Sequence, residues 1–156
     1  MSGLTYQQWQ QRASELALPN QAFINGESCS AISGKTFSRI NPANGQLLVD
    51  IASCDAADVD VAVEVAREAF ERGVWAEQTP SQRKAVMLKW ADLINQNQQQ
   101  IALLETLDTG KPIAETMRVD VSSCAQAIAW YGEAIDKIYD QIAPNGNDAL
   151  VTISRE

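Results

Sequence analysis

The sequence Leu104-Glu105-Thr106-Leu107-Asp108-Thr109-Gly110-Lys111-Pro112 decides the fold, because it ends one helix and begins the next. Ile101 and two leucines of this stretch recur every three residues, which is typical of the last turns of a helix with one buried face. Gly110 is placed to end that helix in a left-handed cap. Pro112 suits the first turn of a new helix, because its φ is fixed and it has no N–H to leave unpaired. The stretch therefore predicts a sharp corner between two helices.

The corner holds two charged residues, Asp108 and Lys111. An aspartate beside a Gly-Lys-Pro turn is most often a capping or turn residue, since its short side chain bonds to nearby backbone groups. Lys111 leads into proline rather than into serine or threonine, so the spacing gives it no phosphate-binding role. The residues of this corner therefore indicate a structural role more strongly than a catalytic or binding role.

Length and composition indicate one soluble globular domain of 156 residues, with 46% hydrophobic and 21% charged residues. The sequence contains no apolar run long enough to span a bilayer and no basic leader, which favours a cytoplasmic protein. A net charge of −8 argues against nucleic acid and anionic membranes as partners.

Cysteine and histidine content excludes several kinds of site. The chain has no histidine, which removes Ser-His-Asp and Cys-His catalysis and the commonest transition-metal ligand. Its three cysteines show no C-x-x-C spacing and predict neither a disulfide framework nor a zinc site. Cys29, Cys54 and Cys124 have no activating neighbour. Asp55 opposes ionisation of Cys54, and Cys124 is predicted to lie in the core.

The first third of the chain is predicted to form a helix followed by hairpins. Within residues 1–20, one apolar face predicts a helix that ends before Pro19; its members are Tyr6, Trp9, Ala13, Leu16 and Ala17. Residues 22–52 alternate between short strands and glycine-containing breaks. Asn44-Gly45 predicts the turn of a hairpin, because both residues tolerate positive φ.

Residues 53–140 are predicted to be helical. Ser53 or Asp55 caps the first of these helices, and Thr79-Pro80-Ser81-Gln82 is a capping box that opens the second. The inward residues are predicted to be Val59, Val63, Ala66 and Phe70, then Val86, Trp90, Leu93 and Ile94, then Val121, Cys124, Ile128, Tyr131, Ile135 and Ile138 along the longest helix. A turn over residues 144–147 should end that helix, and a strand should begin within residues 147–156.

Several motifs resemble, in order, those of the aldehyde dehydrogenase superfamily, whose members oxidise aldehydes to acids with NAD or NADP. The central stretch resembles its E-T-L-D-T-G-K-P signature. The others are F-I-N-G-E from Phe23, N-P-A-N-G from Asn41, A-F-E-R-G-V-W from Ala69, P-S-Q-R from Pro80 and the helix from Trp130. The amino-acid sequence of these motifs is most similar to that of the bacterial γ-glutamyl-γ-aminobutyraldehyde dehydrogenases of polyamine breakdown.

The resemblance implies an α/β fold that lacks most of the parallel cofactor-binding sheet. It places the catalytic cysteine and the NAD(P) contacts beyond residue 156, so the chain is expected to be an inactive N-terminal fragment of a homo-oligomeric enzyme that acts on a small-molecule aldehyde. The final strand would belong to the oligomerisation sheet. The alternative is a self-associating interaction domain with no chemistry, since helix stripes that cover a sheet in the family would here be exposed.

The resemblance also implies two sites. A monovalent cation, sodium or potassium, would be held by the carbonyl of Ile40 and by Asp108, although a capping role for Asp108 is equally open. Val119, Asp120 and Ser123 would line the substrate entry. Asp120 would attract the amine of an amino-aldehyde, or it is simply a solvated aspartate on a helix face.

Overall fold

The computed structural model describes residues 3–144 and 149–153. The helices are α1 (Tyr6–Glu15), α2 (Ala56–Glu71), α3 (Pro80–Gln96), α4 (Gln98–Thr109), α5 (Ile113–Glu115) and α6 (Ser122–Ala134). The strands are β1 (Ala22–Ile24), β2 (Glu27–Cys29), β3 (Thr36–Ile40), β4 (Leu47–Ala52), β5 (Gln141–Ile142) and β6 (Thr152–Ile153). Within the described ranges these strands pair only as three antiparallel ribbons, β1–β2, β3–β4 and β5–β6. The predicted α/β fold of helices and short antiparallel hairpins is confirmed.

Helix starts follow the local sequence closely. Thr79 and Gln82 form the predicted capping box: the Gln82 N–H donates to the Thr79 hydroxyl at 3.3 Å, and the Thr79 N–H donates to the Gln82 side-chain oxygen at 2.9 Å. Of the two candidates for α2, Asp55 is the cap, and it forms a second box with Asp58. These boxes satisfy N–H groups that a helix start leaves unpaired, so they fix where each helix begins.

The hairpins were only partly predicted. β3 and β4 pair as predicted, and Asn44-Gly45 lies in the connection between them; Gly45 has a positive φ but Asn44 does not, so these two residues do not form a tight turn on their own. The connection is instead a six-residue loop, residues 41–46, in which the Gly45 N–H donates to the Asn41 carbonyl at 2.8 Å. A tight Asn-Gly turn with both φ values positive does occur, at Asn25 and Gly26 between β1 and β2.

The helix faces that meet inside the chain match the predicted ones only in part: Val121 is buried, and Ile94, Ile128 and Ile135 are half-buried. α3 packs on α6, where the buried Gly132 lies close to the half-buried Met87 and Leu88. The predicted inward residues are largely exposed, among them Val59, Val63, Phe70, Val86, Trp90, Leu93, Cys124, Tyr131 and Ile138. The physical reason is that small residues let two helix backbones approach closely, whereas apolar periodicity gives most weight to bulky side chains.

The two ends of the chain differ from expectation in smaller ways. α1 ends at Glu15, so Leu16 and Ala17 lie outside it, and none of the residues Tyr6–Glu15 is buried. Thr152–Ile153 pairs with Gln141–Ile142 as a short ribbon. Residues 145–147 of the predicted turn over 144–147, and both ends of the 147–156 segment, lie outside the described residues. Among the residues that are described, no helix is long and apolar enough to cross a membrane.

Candidate functional site

The predicted corner is present and connects two of the sequence motifs. Gly110 has φ +79° and caps α4, with its N–H donating to the Thr106 carbonyl at 2.9 Å. A Cβ added to Gly110 would lie 3.2 Å from Cγ of Pro42, so the Asn-Pro loop packs directly on the corner. Pro112 lies one position before α5, where its carbonyl accepts the Glu115 N–H at 2.9 Å.

Thr116 anchors the segment that follows the corner. Its side chain is fully buried, and its Oγ1 lies 3.1 Å from the carbonyl oxygens of Ala102 and Ile113 and 3.0 Å from Oγ1 of Thr106. Thr106 belongs to the signature stretch, so these bonds join α4 to α5. This role could not be predicted from the sequence, because a threonine inside a helix carries no distinctive pattern.

A π-helical turn, Thr116–Val121, interrupts the helix that was predicted to be continuous and longest. Gln98 of α4 stabilises this turn: its Nε2 lies 2.9 Å from the Met117 carbonyl and 3.0 Å from Oγ of Ser122. The Ser122 hydroxyl also donates to the Met117 carbonyl at 3.0 Å. Turns of this kind change the direction of side chains and are frequent at functional sites.

The turn brings the predicted substrate-entry residues together. Val119, Asp120 and Ser123 all line one open cleft of about 600 Å³. Ile101, Glu105, Lys111, Val121 and Cys124 complete its lining. Cys124 was predicted to lie in the core and is instead exposed at this cleft. That the cleft admits substrate stays a prediction.

An ion pair lies across the cleft. Lys111 Nζ is 2.8 Å from Oδ2 of Asp120, and the Asp120 side chain is 28% exposed. The hydrogen bond to Asp120 raises the pKa of Lys111, and the charges of Glu105 and Glu115 raise it further, against an opposing effect of burial. Lys111 is therefore a cation throughout the physiological pH range, and Asp120 already has a counter-charge.

The predicted cation ligand Asp108 also has a counter-charge within the chain. Nε of Arg39 donates to its carboxylate, and Nη2 of Arg39 donates to its main-chain oxygen at 2.8 Å. The other predicted ligand, Ile40, directly follows Arg39 in β3. A guanidinium bound to both kinds of Asp108 oxygen does not fit an ion at the same place. Within the described part of the chain, no group of three or more His, Cys, Asp or Glu residues could hold a metal ion.

Cys54, the cysteine just before α2, is not activated as a nucleophile. Burial raises the pKa of the Cys54 thiol, and the nearby charge of Asp58 adds to the increase, followed by Cys29 and Asp55. From the sequence, only Asp55 was predicted to oppose a Cys54 thiolate; Asp55 does act in this direction, but Asp58 contributes more. A higher pKa leaves less thiolate at neutral pH and so a weaker nucleophile.

Comparison with known families gives a match to the model described as "Aldehyde dehydrogenase family", over residues 29–156. Two curated relatives are the NADP/NAD-dependent aldehyde dehydrogenase PuuC of Escherichia coli and the aminoacetaldehyde dehydrogenase of Pseudomonas aeruginosa. The first is 45% identical and covers 95% of this chain and 30% of its own length. The second is 46% identical and covers 92% of this chain and 29% of its own length.

Comparison with solved structures gives matches of the same kind. The chain superimposes on the indole-3-acetaldehyde dehydrogenase of P. syringae, determined with NAD+, with a TM-score of 0.93 and 50% identity, over 95% of this chain and 30% of that one. It superimposes on the γ-glutamyl-γ-aminobutyraldehyde dehydrogenase of Burkholderia cenocepacia with a TM-score of 0.89 and 45% identity, over 92% of this chain and 29% of that one. The chain thus spans about 30% of the length of the relatives that it matches.

Proposed function

The chain belongs to the aldehyde dehydrogenase family, and on this premise we propose that it is the N-terminal part of an NAD(P)-dependent enzyme that oxidises an aldehyde to its carboxylic acid. The observation that carries the proposal is the cleft in which Val119, Asp120 and Ser123 meet. In this assignment the chain supplies the wall along which substrate enters. The nucleophilic cysteine and the cofactor-binding residues would come from the remainder of the enzyme.

The substrate that we propose is an amino-aldehyde of the kind formed in polyamine breakdown. Asp120 offers a carboxylate in the cleft, and the relative from P. aeruginosa is named for aminoacetaldehyde. Lys111 competes with a cationic substrate for Asp120, because its ammonium group already forms an ion pair with one carboxylate oxygen of Asp120. A cationic substrate has to displace that group or use the other oxygen.

The experiment compares NADH formation by the 156-residue chain alone with that of the chain joined to the remaining two-thirds of a relative. We expect no turnover by the chain alone, since in this proposal the nucleophilic cysteine and the cofactor contacts come from the remainder, and turnover by the joined protein. Turnover by the chain alone contradicts the assignment of catalysis to the remainder. No turnover by the joined protein with any aldehyde, although it folds and binds NAD+, contradicts the assignment of the family's activity.

The joined protein also tests the substrate. We expect kcat/KM for aminoacetaldehyde to exceed that for acetaldehyde, and Lys111→Met to increase this preference because it leaves Asp120 unpaired. Lys89→Met is the matched control, since Lys89 is an exposed lysine of α3 away from the cleft. A preference that Lys111→Met leaves unchanged means that the amine does not bind at Asp120.

A second function is favoured by the exposed apolar residues on the helices. Phe70, Trp130 and Tyr131 each expose more than 60% of their surface, and aromatic residues of this kind are frequent in interfaces. We infer that the chain self-associates, either as part of a homo-oligomeric enzyme or as an interaction domain. Sedimentation at increasing concentration tests this: Trp130→Glu should weaken association, and a monomer at all concentrations contradicts it.

A further inference from the structure

We propose that Arg39 takes the place of a bound monovalent cation in this chain. The predicted cation site consisted of the Ile40 carbonyl and Asp108. In the structure, the guanidinium of Arg39 donates to the Asp108 carboxylate through Nε and to the Asp108 main-chain oxygen through Nη2, the latter at 2.8 Å. One side chain of the protein therefore contacts both kinds of oxygen that Asp108 could offer to an ion.

The position of Asp108 explains why a positive charge is favourable there. It is the next-to-last residue of α4, Gln98–Thr109, and the last carbonyls of a helix carry a partial negative charge. The carboxylate adds a full negative charge at the same helix end. A planar guanidinium, whose N–H groups point in fixed directions, can donate to two such acceptors at once. A sodium or potassium ion would supply charge but would also need several further oxygen ligands.

The local shape of β3 brings Arg39 to this helix end. Arg39 pairs with Val49, but Ile40 pairs with Leu47, so the register shifts between the two residues. An irregularity of this kind bends a strand and redirects its side chains. Because Arg39 is part of the chain, its charge is present at Asp108 at every salt concentration. An ion entering the same place would meet a like charge at short range, which disfavours binding.

The test is thermal unfolding of the full 156-residue chain in sodium, potassium or choline chloride at equal ionic strength. An ion bound with a dissociation constant of about 10 mM would raise the midpoint by roughly 3 to 6 °C at about 150 mM salt. We expect the wild-type midpoints to agree within about 1 °C, because no ion is bound specifically. A saturable increase with sodium or potassium over choline would overturn the proposal.

Two variants test the role of Arg39 itself. Arg39→Met removes the proposed counter-charge, and Arg118→Met removes the same charge from an exposed arginine whose side chain has no hydrogen bond or ion pair with the described residues. In choline, Arg39→Met should unfold at a lower temperature than this control, and sodium or potassium should restore part of the loss. Equal midpoints, or a loss that neither ion restores, overturn the proposal. If Arg39→Met does not fold, Arg39→Lys keeps the charge and should show no preference among the three salts; a preference there counts against the proposal.

Discussion

Replacing Thr116 by valine tests the buried hydrogen bonds that join α4 to α5. Valine keeps the shape of threonine and removes only the hydroxyl group. That group lies 3.0 to 3.1 Å from three oxygen atoms, on Ala102, Ile113 and Thr106, and the residue is fully buried. A hydroxyl has one proton, so Thr116 donates one bond at a time, and among these three neighbours only the Thr106 hydroxyl can donate a bond to it. At about 0.5–1.5 kcal/mol for each neutral bond, we expect a loss of about 2 kcal/mol.

For a chain of this size, that loss corresponds to a decrease of about 4 to 8 °C in melting temperature, measured by circular dichroism. Thr116→Ser is the matched control, because it keeps the hydroxyl and loses a buried methyl group worth about 0.8 kcal/mol. Thr106→Val removes the hydroxyl partner. If the two threonines bond to each other, the double variant should lose about 1 kcal/mol less than the sum of the single losses. A Thr116→Val loss smaller than the loss in Thr116→Ser, or strict additivity with Thr106→Val, would refute this reasoning.

Two further outcomes follow from the packing and from the acidic groups. Gly132→Ala places a Cβ 2.9 Å from Cβ of Met87. We expect overpacking to outweigh the gain in helix propensity and to lower the free energy of unfolding by about 1 kcal/mol. A higher urea midpoint than that of the wild type would contradict this expectation. N–H groups of Asp55 and Ile32 lower the pKa of Asp58 below its ordinary 3.8. Its stabilising effect is therefore complete above that pH and is lost as the pH falls below it. The stability difference between wild type and Asp58→Asn should shrink in acid, and a difference independent of pH would exclude the ionised carboxylate as its source.

Features set by a few neighbouring residues could be predicted from the sequence. The Thr79 capping box, the Asp55 cap and the left-handed Gly110 are each determined by the backbone bonds of one turn, and all three are present. Asn44-Gly45 does lie in the β3–β4 connection as predicted, but the length of that connection was not predicted, and the Asn41 carbonyl closes it by accepting the Gly45 N–H. The local sequence limits which turns can form, and tertiary packing determines which of them is present.

The candidate site was predicted only in part, for a different reason. Val119, Asp120 and Ser123 do meet at one cleft, but the direction in which they face depends on the π-helical turn. Gln98 stabilises that turn from another helix. The charge partners Lys111 and Arg39 were also missed, since each pairs with a residue that lies 9 and 69 positions away along the chain. Contacts across such distances have no signature in one sequence without the fold.

The helices have two kinds of face, one suited to packing within the chain and one suited to packing against a separate layer. Inside the chain, buried apolar residues are mostly alanines, and helices meet at residues as small as Gly132. The bulky residues, such as Trp90 and Trp130, lie on the exposed faces. Small residues serve close contact between helices, whereas a continuous bulky stripe is stabilising only when another layer covers it. Substitutions on the two faces should therefore have different effects. Gly132→Ala should lower the melting temperature of the isolated chain. Trp130→Glu should change the association of the chain and leave its melting temperature as a monomer the same.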